Sequence, residues 1–229
     1  MVKGEAGSPY AIKDYYDIDP DLAEDPSTRM QEFEALVTRT HEVGLKVVLD
    51  FVPNHVARQY HSDTAPEGVD DLGAHDNKEM HFSPSNNFYY IPRQAFTPQF
   101  YIGAGEDRYF EYPAKATGND CFGAFPGEYD WYETVKLNYG VDYTGGGRCH
   151  VDPIPDTWYK MLDILLFWCG KGVDAFRCDM AHMVPVEFWN WAISKVKENY
   201  PSVIFIAEIY DQALYRVYIV KGNFDYLYD

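Results

Sequence analysis

DTWYKMLDILLFWCGKGVDAFRCD (Asp156–Asp179) decides the fold. Its first part, Asp156–Cys169, reads as a helix stopped by Gly170. A short apolar run, Val173–Cys178, follows after two residues and ends on a carboxylate. The same alternation continues downstream. Pro185 opens a helix through Asn199, and VIFIAE (Val203–Glu208) is a second buried strand. A short helix over Gln212–Val220 leads to a third strand at Phe224–Leu227. Helices alternating with apolar strands predict a parallel sheet with right-handed crossovers.

Upstream, Met30, Phe33, Leu36, Val37 and Val43 recur at helical spacing between Thr28 and Val43. Thr28 and Gln31 offer a capping box, and Gly44 a C-terminal stop. LKVVLDFV (Leu45–Val52) then reads as a fully buried parallel strand.

Between Val56 and Asp152 the periodicity disappears into a stretch rich in Asn, Gly, Pro, Tyr and Phe. It is too long for a connecting loop. It predicts an inserted small domain, irregular and partly β, dividing the chain into 1–55, 56–152 and 153–229. Gly145–Gly147 follows no strand and precedes no GK[ST], so it is a turn and not a phosphate cradle. Cys169 and Cys178 sit in apolar runs and read as buried thiols. For Cys121 and Cys149 pairing stays open, because sequence does not supply disulfide geometry.

The 229 residues carry a net charge of −17, which disfavours nucleic acid and anionic membrane partners. No run approaches the roughly 18 apolar residues of a membrane-inserted helix. Aromatic residues make up 17%, including 20 tyrosines, a share that suits sugar stacking and core filling alike. Seven histidines are scattered without an HExxH pattern, and His75 and His81 lack partners at zinc-ligand spacing.

In an α/β barrel, functional residues lie where strands give way to loops. Three strands here end in carboxylates: Asp50, Asp179 and Glu208. Carboxylates on neighbouring strands can come within about 5–5.5 Å, the separation retaining glycosidases use for a nucleophile and an acid/base. Arg177 precedes Asp179 by two residues and shares its face of the strand. Its guanidinium is expected to hold Asp179 ionised, while Glu208, beside Ile206 and Tyr210, keeps a proton.

At these residues the sequence resembles the α-amylase superfamily, glycoside hydrolase family 13. DFVPNH (Asp50–His55) is similar to the family's D-x-V-x-N-H signature, and AFRCDMAH (Ala175–His182) to G-x-R-x-D, with Ala175 in place of the glycine. The third signature's glutamate falls at Glu208, a further motif at VKLN (Val135–Asn138), and the segment after the second strand at PYAIKDYYDIDP (Pro9–Pro20). The resemblance implies a partial TIM (β/α)8 barrel, about strands 3 to 6, with residues 56–152 as the family's domain B.

It implies Asp179 as nucleophile, Glu208 as acid/base and Arg177 as the residue orienting Asp179. Tyr10 would be the platform under the cleaved sugar, with Asp50 and His55 also at the sugar and Asn54 a Ca²⁺ ligand. His182 and Met183 stand where the family often has Lys-His. His182 is then either a sugar contact in the lysine's place or a histidine satisfied by a helix start.

The implied activity is retaining hydrolysis of α-1,4-glucans or maltooligosaccharides, α-amylase-like or neopullulanase-like, with no organic cofactor. The alternatives are an α-glucan transglycosylase and a non-catalytic carbohydrate-binding relative. The family's fourth signature has no counterpart before Asp229, so the chain is expected to be part of a longer enzyme and inactive alone. Secreted, periplasmic and cytoplasmic locations all remain open.

Overall fold

The structure is a computed structural model that describes residues 1–100 and 109–229. Residues 101–108 of the expected insertion lie outside the described residues. Strands β1 (Val48–Phe51), β2 (Ala175–Cys178), β3 (Ile204–Glu208) and β4 (Tyr226–Tyr228) lie side by side in chain order. All neighbours are parallel, with Arg177 opposite both Asp50 and Ile206, and Glu208 opposite Tyr228.

Helix α1 (Arg29–Glu42) leads into β1, and α2 (Asp156–Gly170) into β2. Helices α3 (Val186–Asn199) and α4 (Tyr215–Val220) make the next two crossovers. One face of the sheet is apolar because alternate residues of each strand share a face. Phe51, Phe176, Cys178, Phe205 and Ala207 are buried there in one cluster with Trp168, Phe188, Trp189 and Ile193 of the helices. The other face carries Asp50, Arg177 and Glu208.

Three local expectations change, and the open question of the cysteines is answered. Thr28 is the N-cap of α1 but makes no side-chain cap bond. Glu32 instead turns back, accepting from the Glu24 and Asp25 N–H groups at 2.8 Å each and from the Thr28 hydroxyl at 3.2 Å. Strand β1 is not fully buried: it borders the four-stranded sheet, and Val48 is 50% exposed. The segment before β4 starts as a 3-10 turn, Gln212–Leu214, and only then becomes α4; β4 itself begins at Tyr226. Cys121 and Cys149 are both free thiols, as are the buried Cys169 and Cys178.

Between β1 and α2 the described chain forms only short antiparallel ladders. His55–Ala57 pairs with Thr134–Lys136, Tyr90–Ile91 with Ala114–Lys115, and Val141–Asp142 with Arg148–Cys149. Residues of VKLN and its neighbour fasten this region to the end of β1. The Leu137 N–H donates to Asn54 O at 3.0 Å, and the Tyr139 hydroxyl donates to Pro53 O at 2.7 Å. Buried Asn138 donates to Ser83 O and Asn86 O, closing the loop around it. Among the described residues no helix is long and apolar enough to cross a membrane.

Candidate active site

A cleft of about 350 Å³ opens over the carboxyl end of the sheet. Its walls include Tyr10, His55, Trp131, Arg177, Asp179, Met180, Glu208 and Tyr210. The carboxyl ends of parallel strands point the same way, so residues far apart in sequence meet at one rim.

Arg177 is the centre of the arrangement. Its guanidinium lies 2.9 Å from Asp50 Oδ1, 2.9 Å from Asp179 Oδ1 and 2.6 Å from Glu208 Oε1, while its Nε donates to the Tyr228 hydroxyl. One side chain thus contacts a partner from each of the four strands or its immediate end. Asp179 and Glu208 are each 6% exposed, so the Arg177 charge offsets a desolvation that would otherwise be costly.

The two carboxyls hold their proton differently from the sequence-based expectation. Burial drives Asp179 up to about 7, with Arg177 pulling against it and the Glu208 charge adding to it. Glu208 is also pushed up by burial, but its hydrogen bonds outweigh that and keep it below the usual carboxylate range. The Met180 N–H donates to Oε2 at 2.9 Å and the Tyr210 hydroxyl to Oε1 at 3.0 Å. The two shifts run opposite to the expected order, an ionised Asp179 and a protonated Glu208: Asp179 is drawn toward its protonated form and Glu208 toward its ionised one. The reason lies in the loop after β2. Met180 takes the left-handed conformation, φ 46°, and aims its N–H at Glu208.

The remaining candidates lie as follows. Tyr10 is 41% exposed in the cleft wall, its ring 5.7 Å from the Arg177 guanidinium. His55 is buried against Trp131, with ring centres 5.2 Å apart. Burial and then the Lys136 charge bring His55 down to about 4, so it meets a ligand as a neutral imidazole. Asp50 binds Arg177 from the side of β1 and is not part of the cleft lining. His182 sits behind Tyr210, ring centres 6.0 Å apart, with no hydrogen-bond partner on its Nδ1 among the described residues.

Asn54 turns its side-chain oxygen toward the Lys136 ammonium, 2.6 Å away, and its amide nitrogen toward Gly118 O at 2.8 Å. A lysine thus stands where a calcium bound through Asn54 Oδ1 would have to sit, and the oxygen is not free for one. Among the described residues no group of three or more His, Cys, Asp or Glu side chains converges on a metal position. Trp131, Met180 and Lys136 were missed by sequence reasoning. Trp131 and Lys136 come from the stretch without periodicity, and the role of Met180 is a backbone one.

Comparison with known proteins agrees with this geometry. The family model for the α-amylase catalytic domain matches residues 4–102. An α-1,4-glucan:maltose-1-phosphate maltosyltransferase of Cereibacter sphaeroides is 46% identical over 57 residues, 25% of this chain and 10% of its own. The enzyme of that name from Picrophilus torridus is 24% identical over 99% of this chain and 27% of its own length. An α-amylase of Lactobacillus plantarum superposes with a TM-score of 0.55 at 26% identity, over 100% of this chain and 41% of that one. The type III pullulan hydrolase of Thermococcus kodakarensis gives 0.61 at 21%, over 99% and 31%. The chain thus spans about a quarter or less of these curated relatives. The rim signatures, the parallel sheet that presents them and these likenesses agree: residues 4–102 match the α-amylase catalytic domain, and the chain as a whole is similar to enzymes of that family.

Proposed function

We propose that the protein cleaves α-1,4-glucosidic bonds of glucans or maltooligosaccharides with retention of anomeric configuration. The observation that carries this reading is the pair Asp179 and Glu208, on adjacent strands, gripped by one guanidinium at the floor of the cleft. Asp179 attacks the anomeric carbon and Glu208 protonates the departing oxygen. A glycosyl-enzyme ester forms, and Glu208 then activates the acceptor that releases it.

The resting protonation makes one demand on this scheme. The scheme needs Asp179 ionised and Glu208 protonated, against the direction of both shifts, so a proton must pass from the aspartate to the glutamate when sugar enters. Both carboxyls are held against the same Arg177 guanidinium, which keeps donor and acceptor close for that transfer. Tyr10 and Trp131 offer aromatic faces to sugar rings, and neutral His55 offers a hydrogen bond. In the same reading the four strands belong to a (β/α)8 barrel, and the stretch 56–152 is the insertion that walls the cleft.

Water is the first-choice acceptor, in line with the Lactobacillus plantarum amylase. Transfer to a sugar is the second reading, favoured by the maltosyltransferase names of the curated relatives. The intermediate is common to both. The deciding experiment gives the whole protein that carries this chain maltoheptaose, then maltose 1-phosphate with a glucan acceptor, and analyses products by NMR. New reducing ends of α configuration mean hydrolysis, and chain extension means transfer. Asp179→Asn should lower kcat on the order of 10⁴-fold, and Glu208→Gln by about 10²–10⁴-fold. Sugar binding with no turnover in the parent protein would refute the catalytic reading.

A further inference from the structure

Lys136 is a charged side chain only 1% exposed, in a short ladder strand, Thr134–Lys136, that is buried throughout. Its ammonium meets three oxygens from three separate segments. Asn54 Oδ1, from the loop after β1, is at 2.6 Å; Asp120 Oδ1, from the turn beyond Gly118, is at 2.7 Å; Met183 O, four residues past Asp179, is at 3.5 Å. The Tyr143 ring lies 5.2 Å away on another side. An amide oxygen, a carboxylate and a backbone carbonyl are the hard oxygen donors a divalent cation would select. Here a compact ammonium on a flexible stem occupies their common centre.

The orientation of Asn54 fits a cation built into the chain. Its amide nitrogen donates to Gly118 O at 2.8 Å and faces His55 Nδ1 at 3.1 Å, which leaves Oδ1 turned to Lys136. Gly118 packs closely enough that a Cβ there would come within 2.9 Å of His55. Asn54, Gly118 and Lys136 therefore fix one wall of the cleft together. Removing the ammonium would leave Asp120 and Asn54 Oδ1 facing each other with nothing between them.

We propose that the Lys136 ammonium is a tethered stand-in for a metal ion. It ties the loop after β1, the Gly118–Asp120 turn and the turn after Asp179 together, so that this wall needs no calcium. The clamp operates whatever sugar the cleft accepts, and its test does not depend on turnover.

Thermal melts and calorimetric titrations of the whole protein, in EDTA and in calcium chloride, test it. The parent should melt at the same temperature in both. Lys136→Met should melt about 10 °C lower in EDTA. Calcium should restore part of that loss with stoichiometric binding, and adding Asp120→Asn should abolish the restoration. Two results would overturn the proposal: a Lys136→Met variant that melts with the parent, or a calcium-dependent rise in the parent that Asp120→Asn removes. The second measurement needs only the parent and Asp120→Asn, which is partly exposed and milder, so it decides the matter even if Lys136→Met does not fold.

Discussion

Asp179 and Glu208 have nearly equal burial, yet their carboxyls part in opposite directions because their donors differ. Arg177 touches both, but only Glu208 also receives a backbone N–H and a phenol. Turnover by the proposed route needs one proton on the pair. Activity should fall on the alkaline side as pH rises through about 7, where Asp179 loses that proton. It should fall on the acid side only below the ordinary glutamate range, where Glu208 also protonates. The Tyr210 hydroxyl stabilises the ionised Glu208, so Tyr210→Phe raises its pKa and should move the acid limb upward by about half a unit. A pH–rate profile of parent and variant checks both signs. An acid limb that moves down would contradict the geometry. The identities of Asp179, Arg177 and Glu208 were legible because strand alternation and strand ends are written in the sequence. The proton's location was not, since it depends on Met180 bending its backbone and on a phenol two residues past Glu208.

The helices and strands were read to within a few residues, because a buried face imposes its period on the sequence. Asp156–Gly170 and Val186–Asn199 bring Trp168 and Trp189 onto the apolar side of the sheet, where both are fully buried. The misreadings fall where long-range partners decide. Glu32 ties α1 to the turn seven and eight residues earlier by accepting its N–H groups, outside the capping-box pattern. Trp189 does more than fill space. Its indole N–H donates at 3.0 Å to Ala181 O, two residues after Asp179, and its ring packs on Phe51 and Phe224. Trp189→Phe keeps most of the apolar contact but leaves that carbonyl with only the Val184 N–H, at a cost of about 0.5–1.5 kcal/mol in stability. Because the carbonyl belongs to the turn that carries Met180, kcat should fall while KM changes little. Chemical denaturation and steady-state kinetics measure the two effects, and an unchanged kcat would show that the turn is held by other contacts.

Over the whole molecule, acidic residues exceed basic ones far enough to give −17, and among the described residues buried Arg58 and Lys136 are each paired with a carboxylate. Arg58 and Glu111 form such a pair at 2.7 Å, both nearly inaccessible, with the guanidinium 3.7 Å over the Phe96 ring. What remains at the surface is mostly like charge, which screening relieves. Raising sodium chloride from low ionic strength to about 0.5 M should therefore raise Tm by a few degrees. A fall would mean that exposed ion pairs such as Lys46–Asp174 contribute more than the overall repulsion. The division into sheet and irregular stretch could be read from the loss of periodicity after Val56. How the two join could not, because the junction runs through buried polar contacts of Asn54, Lys136 and Asn138, residues that a hydrophobic pattern treats as surface.

Arg177 holds one partner from every strand of the sheet, so Asp50, Asp179, Glu208 and Tyr228 are not four independent positions. A change at any of them is felt by the others through one guanidinium, and the second change in a pair then has less left to disturb than the first. For a lineage drifting under mutation, this is epistasis built into a single side chain. The rim can be kept whole or lost whole, while the aromatic walls around it remain free to vary.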